Sequence, residues 1–196
     1  KFEETRVNVK NFINAESKDE IIFTKNATES INLVANTFGK QNIKKGDEIL
    51  ITELEHHSNY VPWHYLRETY GAIIKFAPIN EDGDVIISKF KELITSKTKI
   101  IAITHLSNVT GTIVPIKEIV EIARKKNVPV LVDGCQSAPH IKIDVKDLDC
   151  DFYAISCHKV YGPTGVGILY AKRKWLEKLP PYIGGGGMIS EVKKNK

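Results

Sequence analysis

The chain has 196 residues, 42% of them hydrophobic and 27% charged, with a formal net charge of +4. That length supports one sizeable core; no apolar run reaches the length of a membrane span, and the basic clusters 124–126, 172–174 and 193–194 carry no interleaved aromatic residues, which disfavours a nucleic-acid surface. Three cysteines, Cys135, Cys150 and Cys157, form an odd set without metal-ligand spacing, so a disulfide framework and a zinc site are disfavoured and a reducing cytoplasm is expected. The opening Lys1-Phe2-Glu3-Glu4 is charged and no apolar leader follows it. The absence of an initiator methionine suggests a start further upstream.

Residues 21–24 are predicted as a strand, and residues 28–38 as a helix with Ile31, Leu33, Val34 and Phe38 at helical spacing. Strands follow at 48–52 and 72–76, separated by a helix over 59–70 that tolerates Pro62 only in its first turn. Asp82-Gly83 marks a turn. Residues 100–104 form a strand that is apolar on both faces. Residues 115–126 form a helix, with proline at its start, Ile116, Ile119, Val120 and Ala123 on one face, and basic residues at its end. Strands at 128–132, 152–156 and 166–170 follow, the last two at one side of the sheet. This alternation predicts an α/β fold, a mainly parallel sheet with helices on both faces. Strands apolar throughout must be covered on both sides, and ligands of such sheets sit beyond the carboxyl ends of the strands. Asp133 and Thr104-His105 stand at such ends. No internal repeat is present, and Gly184 to Gly187 is the one low-complexity run.

Lys159 lies between an apolar strand and a glycine-rich turn, Tyr161-Gly162-Pro163-Thr164-Gly165. A lysine is ordinarily a surface residue, but this setting encloses the amine in part and favours it as a nucleophile. Asp133 ends the run Pro129-Val130-Leu131-Val132, where a buried carboxylate without a partner is costly. A helix cap or a salt bridge would serve it; so would a protonated pyridine nitrogen. An amine that forms a Schiff base and a carboxylate that holds the ring nitrogen protonated are what pyridoxal phosphate (PLP) needs to act as an electron sink.

Other residues fit beside that pair. Ser156 and His158, two apart, would face one way in an extended segment and Lys159 the other, with phosphate on one side and aldehyde on the other. Cys157 reads as structural. Residues 26–29, Asn-Ala-Thr-Glu, start a helix whose free amides and Thr28 hydroxyl either hold an anion or simply cap the helix. Gln136 could reach the cofactor's phenolic oxygen. Asn108 suits that oxygen, a substrate carboxylate or a plain turn. His56 and His57 follow a strand; adjacent histidines ordinarily diverge, and no helix motif completes a metal set, so an imidazole stacked on an aromatic cofactor is the better functional reading. No G-x-G-x-x-G or Walker motif follows the first strands, which disfavours a nucleotide-binding protein.

Taken together, residues 24–35, 55–63, 105–111, 132–136, 148–153 and 156–165 resemble the fold-type I PLP enzymes of the class V aminotransferase family. Within it, Glu55-His56-His57, Val61-Pro62-Trp63 and Gly162-Pro163-Thr164-Gly165 are similar to the SufS-type cysteine desulfurases rather than the NifS/IscS-like branch. The resemblance implies that Lys159 binds PLP and moves the substrate proton, Asp133 pairs with the pyridine nitrogen, Gln136 contacts the phenolic oxygen, and His56 stacks on the ring and joins in catalysis. Thr28, Ser156 and His158 would hold the phosphate, and Asn108 would lie near the phenolic oxygen and the substrate. The implied enzyme is a transferase that takes sulfur from L-cysteine, leaves L-alanine, and passes a persulfide to a SufE-like acceptor for iron–sulfur cluster assembly. It would be a cytoplasmic homodimer, with residues 184–188 near the subunit boundary.

The family's attacking cysteine and its carboxylate-binding arginine fall beyond Lys196, and its opening segment falls before Lys1. Cys135 and Cys157 stand where small residues are usual. Residues 1–196 are therefore expected to be an incomplete PLP-binding large domain without its C-terminal small domain, inactive alone. The alternatives are a sister class V enzyme (a selenocysteine lyase, a kynureninase-like hydrolase or an epimerase) and a non-catalytic domain of the same fold.

Overall fold

Seven of the apolar runs pair into one mixed sheet in a computed structural model that describes residues 1–185. The strands are β1 (Ile21–Thr24), β2 (Glu48–Thr52), β3 (Ile73–Ala77), β4 (Thr98–Thr104), β5 (Val130–Asp133), β6 (Phe152–Ser156) and β7 (Gly167–Ala171), in the order β1-β7-β6-β5-β4-β2-β3. β2 to β6 run parallel to one another, and β7 pairs antiparallel with both β1 and β6. The mainly parallel α/β expectation holds. Lys193, Lys194 and residues 186–188 of the glycine loop lie outside the described residues.

The helices are α1 (Phe2–Phe12), α2 (Ala27–Val34), α3 (Lys40–Asn42), α4 (Val61–Tyr70), α5 (Ile87–Leu93), α6 (Ile116–Arg124), α7 (Val145–Leu148) and α8 (Arg173–Leu176). They cover both faces because successive strand residues point to opposite sides. On one face Leu50, Ile101, Val130, Val132, Tyr153 and Ile155 pack with Phe90 of α5 and with Ile116, Ile119, Val120 and Ala123 of α6. On the other, Ile49, Ile51, Ile100, Leu131, Phe152 and Ala154 pack with Ile31 and Val34 of α2 and with Trp63 and Leu66 of α4. Burial of these aliphatic side chains is worth roughly 1.5–3 kcal/mol each against exposure. Among the described residues no helix is long and apolar enough to cross a membrane.

Two departures from the sequence expectation concern helices. The 28–38 helix starts at Ala27, where Asn26 caps it by accepting from Glu29 N at 2.8 Å, and its far end widens into a π-helical turn over Ala35–Gly39. The 59–70 helix is split into a 3-10 turn, His57–Asn59, and α4, with Pro62 in the first turn of α4. α1 and α5 have no counterpart in the predicted elements. α1 buries none of its side chains and α5 buries only Phe90, so neither has a full apolar stripe to announce it.

Candidate active site

Parallel pairing brings the ends of β4, β5 and β6 level. Thr104 is in register with Asp133, and Asp133 with Ala154. β7 then places Gly167 beside Ser156. A Cβ on Gly167 would stand 2.5 Å from Asn26 Cα, so the absent side chain is what lets the start of α2 settle over the end of β6. The contact is fastened by Ala27 N, which donates to Ser156 Oγ at 2.9 Å.

These ends surround a cleft of about 270 Å³. Thr28, His56, Asn108, Asp133, Gln136, Ser156, His158 and Lys159 all line it, together with Ser58, Thr104 and Cys135. Residues from five separate stretches of chain thus share one cavity at the carboxyl ends of the parallel strands.

Asp133 is only 5% exposed. Its Oδ1 accepts from Cys135 N at 3.0 Å, and among the described residues it forms no ion pair. The salt-bridge alternative for this carboxylate is thereby set aside. The expectation that residues 156–159 are extended is corrected. Cys157–Val160 is a 3-10 turn, closed by Tyr161 N and Gly162 N on the Cys157 carbonyl, with Tyr161 in the left-handed region at φ 64°. Ser156 therefore reaches the cleft from the end of β6, and His158 and Lys159 from the turn that follows, not by strand alternation.

The histidine pair also departs from expectation. The His56 and His57 rings do not diverge; they stack with centroids 3.9 Å apart and planes 31° from parallel. His56 Nδ1 accepts from Ser58 N at 3.2 Å. Burial holds the His56 pKa below the usual histidine value, helped by His57 and Lys159 and opposed by Asp133. Among the described residues no group of His, Cys, Asp and Glu is arranged to hold a metal ion.

Burial keeps the cysteines protonated. It pushes Cys135 up to about 12, and raises Cys150 and Cys157 as well. Cys157 is half-buried and packs against the core, in keeping with a structural part.

Two neighbouring networks have no assigned role from sequence. Glu55 accepts from Thr52 Oγ1 at 2.6 Å, Thr104 N at 3.0 Å and Asn59 Nδ2 at 2.7 Å. Burial, with Asp133 nearby, pushes its pKa up to about 7. Beneath the β5 loop, Tyr153 Oη lies 2.9 Å from His105 Nδ1 and 2.6 Å from Ser137 Oγ. The only sequence signal for either was adjacency to a predicted site residue, since their partners come from elements distant in sequence.

The donor set fits PLP. Among the described residues, a buried carboxylate without a cation, a lysine without an acid partner, the first turn of α2 and a half-buried imidazole all face one cavity. Residues 1–196 match the model of the aminotransferase class-V family. The chain belongs to that family, whose members use PLP.

Within the family its similarity is to cysteine desulfurases. It is 51% identical over 191 residues to a probable cysteine desulfurase of Halalkalibacterium halodurans, covering 97% of this chain and 47% of that protein. The solved cysteine desulfurase CsdA of Escherichia coli superposes with a TM-score of 0.95 at 40% identity, over 98% of this chain and 48% of its own. A cysteine desulfurase of Thermococcus onnurineus gives 0.93 at 39% identity, with the same coverage, 98% and 48%. The chain spans about half the length of these relatives.

Proposed function

We propose that residues 1–196 form the PLP-binding large domain of a SufS-type cysteine desulfurase, without the small domain. The observation that carries this reading is the one cleft shared by Lys159 and by an Asp133 that has no cation among the described residues. When bound, PLP supplies the electron sink that stabilises negative charge at the substrate α-carbon.

The residues then divide the work. Lys159 would hold the cofactor through its amine, and the same Nζ would take the substrate α-proton. Asp133 would keep a proton on the ring nitrogen, Gln136 and Asn108 would serve the phenolic oxygen, and His56 would stack on the ring and assist proton transfer. Thr28, Ser156 and His158 hold the phosphate at the start of α2. Sulfur leaves as a persulfide on an attacking thiolate, and L-alanine remains. Cys135, Cys150 and Cys157, held protonated by burial, are not that thiolate. The thiolate and the arginine for the substrate carboxylate come from outside residues 1–196. The acceptor is a SufE-like protein serving iron–sulfur cluster assembly, and the working form is a cytoplasmic homodimer. Likeness to CsdA favours, as a second reading, a CsdA-like branch of the same chemistry.

The test is alanine release from L-cysteine by the full-length protein, with and without Lys159→Ala. We expect at least a roughly hundredfold loss in the variant. Failure of borohydride to trap PLP on Lys159 overturns the cofactor reading. A PLP-loaded protein that releases no alanine moves the function to a sister enzyme.

A further inference from the structure

Ser58 has no role in the reading above, yet it touches two of that reading's residues. It lies in the 3-10 turn His57–Asn59 that leads from β2 into α4, and it lines the cleft. Thr28 Oγ1, on the first turn of α2, is 3.0 Å from Ser58 Oγ. His56 Nδ1 is 3.0 Å from the same oxygen, and Ser58 N also donates to that nitrogen at 3.2 Å.

The backbone donor gives this network a direction. A peptide N–H can only donate, so Nδ1 is an acceptor and the neutral His56 ring carries its proton on Nε2. The Ser58 hydroxyl has one proton, and against an accepting Nδ1 it is spent there. Its lone pair is then what Thr28 donates to. The chain of donation runs from Thr28 through Ser58 to His56.

We propose that Ser58 is a positioning residue that couples the anion-binding start of α2 to the orientation and hydrogen bonding of His56. The inference rests on the reading of this cleft as a phosphate-bearing cofactor site. An anion at α2 competes for the Thr28 proton. When Thr28 turns to the anion, Ser58 loses the donor behind it and its bond to Nδ1 weakens, because hydrogen bonds in a chain reinforce one another. Occupation of the phosphate end is thereby reported to the imidazole that would cover the ring. Ser58→Ala cuts this link but keeps the backbone N–H that sets the tautomer.

The test uses full-length apoprotein with 15N-labelled histidine and threonine, titrated with inorganic phosphate. His56 is expected in the Nε2–H tautomer, with an Nδ1 resonance that moves as phosphate binds. In Ser58→Ala the tautomer stays, the phosphate-induced shift of Nδ1 is lost, and the Thr28 amide still responds to phosphate. Ser58→Thr restores the shift. An equal Nδ1 shift in Ser58→Ala, or an Nδ1–H tautomer in the unaltered protein, overturns the coupling. If the Thr28 amide responds and PLP loads onto Lys159 while Ser58→Ala changes nothing, the coupling alone fails. If neither phosphate nor PLP binds, the site reading fails and the coupling with it.

Discussion

Two aspartates guard opposite ends of adjacent parallel strands. Asp133 is the last residue of β5, at the carboxyl end; Asp151 directly precedes β6, at the amino end. Both are buried, at 5% and 0% exposure. Asp151 accepts from Trp175 Nε1 at 2.7 Å and Val130 N at 3.1 Å, and pairs with Lys174 at 2.8 Å and Arg124 at 3.2 Å. Among the described residues, Asp133 has one backbone donor and no cation. A buried charge is costly unless its lone pairs are met. The closed end of the sheet meets them from within the fold. The open end leaves one carboxylate short, beside a cleft where a ligand can complete it.

The largest effect expected from this contrast is on stability. Asp151→Ala orphans the Trp175 and Val130 N–H groups and unbalances Arg124 and Lys174, which should cost about 3–5 kcal/mol. Asp133→Ala removes only the acceptor of Cys135 N and should change the stability of the apoprotein by about 1 kcal/mol or less. Urea unfolding of the full-length apoprotein measures both. Equal losses would break the distinction between the two ends.

Glu55 sits between these extremes, well supplied with donors yet destabilised as an anion. With its pKa raised to about 7, the folded state holds a proton there that the unfolded chain releases near 4.5. Between those values the folded state binds more protons, so this group's contribution falls as pH rises, by up to about 3 kcal/mol. His105 acts in the opposite sense. Burial lowers it to about 4, so the unfolded state binds more protons between there and 6.5, and its contribution rises with pH. The two slopes oppose each other over nearly the same window. Relative to the unaltered protein, Glu55→Gln should therefore gain stability as pH rises from 5 to 7, read as a shift in unfolding midpoint. A pH-independent difference would show that Glu55 does not titrate in that window.

The contrast between the two ends was partly legible in the sequence. Strands β1, β2 and β6 were visible to the residue, because each carries at least three consecutive apolar residues bounded by polar ones. Asp133 stood out because it ends such a run, and Lys159 because it lies between one and a glycine-rich turn. Fully buried Asp151 did not, since its cations lie on α6 and α8 and only folding brings them in. The 157–160 turn was hidden for a similar reason. It needs a left-handed Tyr161, and tyrosine does not advertise that conformation. The stacking of His56 on His57 depends on the 3-10 turn behind them, where the sequence showed only the front of a helix. Helix α1 docks through Phe2 against Phe23, with rings 5.1 Å apart, and through Arg6 to the Ile21 carbonyl. Neither contact leaves a periodic trace.

A smaller effect than that of Asp151→Ala concerns what holds the open end in shape. The Tyr153 ring lies under the loop that follows Asp133, so close that a Cβ on Gly134 would be 1.9 Å from its Cε1. Its hydroxyl joins His105, whose N donates to the Asp133 carbonyl at 2.9 Å, to Ser137, whose hydroxyl lies 3.2 Å from the Gly134 carbonyl. Tyr153→Phe keeps the ring and removes this junction. Ser137 retains the Gly134 carbonyl as an acceptor, but the His105 Nδ1 position loses its partner in a buried site. The expected loss is about 1–2 kcal/mol, well below that of Asp151→Ala. The m-value should not change, because the same surface is exposed on unfolding. A loss larger than that of Asp151→Ala would invert the ranking, and the cleft end of the sheet, not the closed end, would then be where this fold keeps its stability.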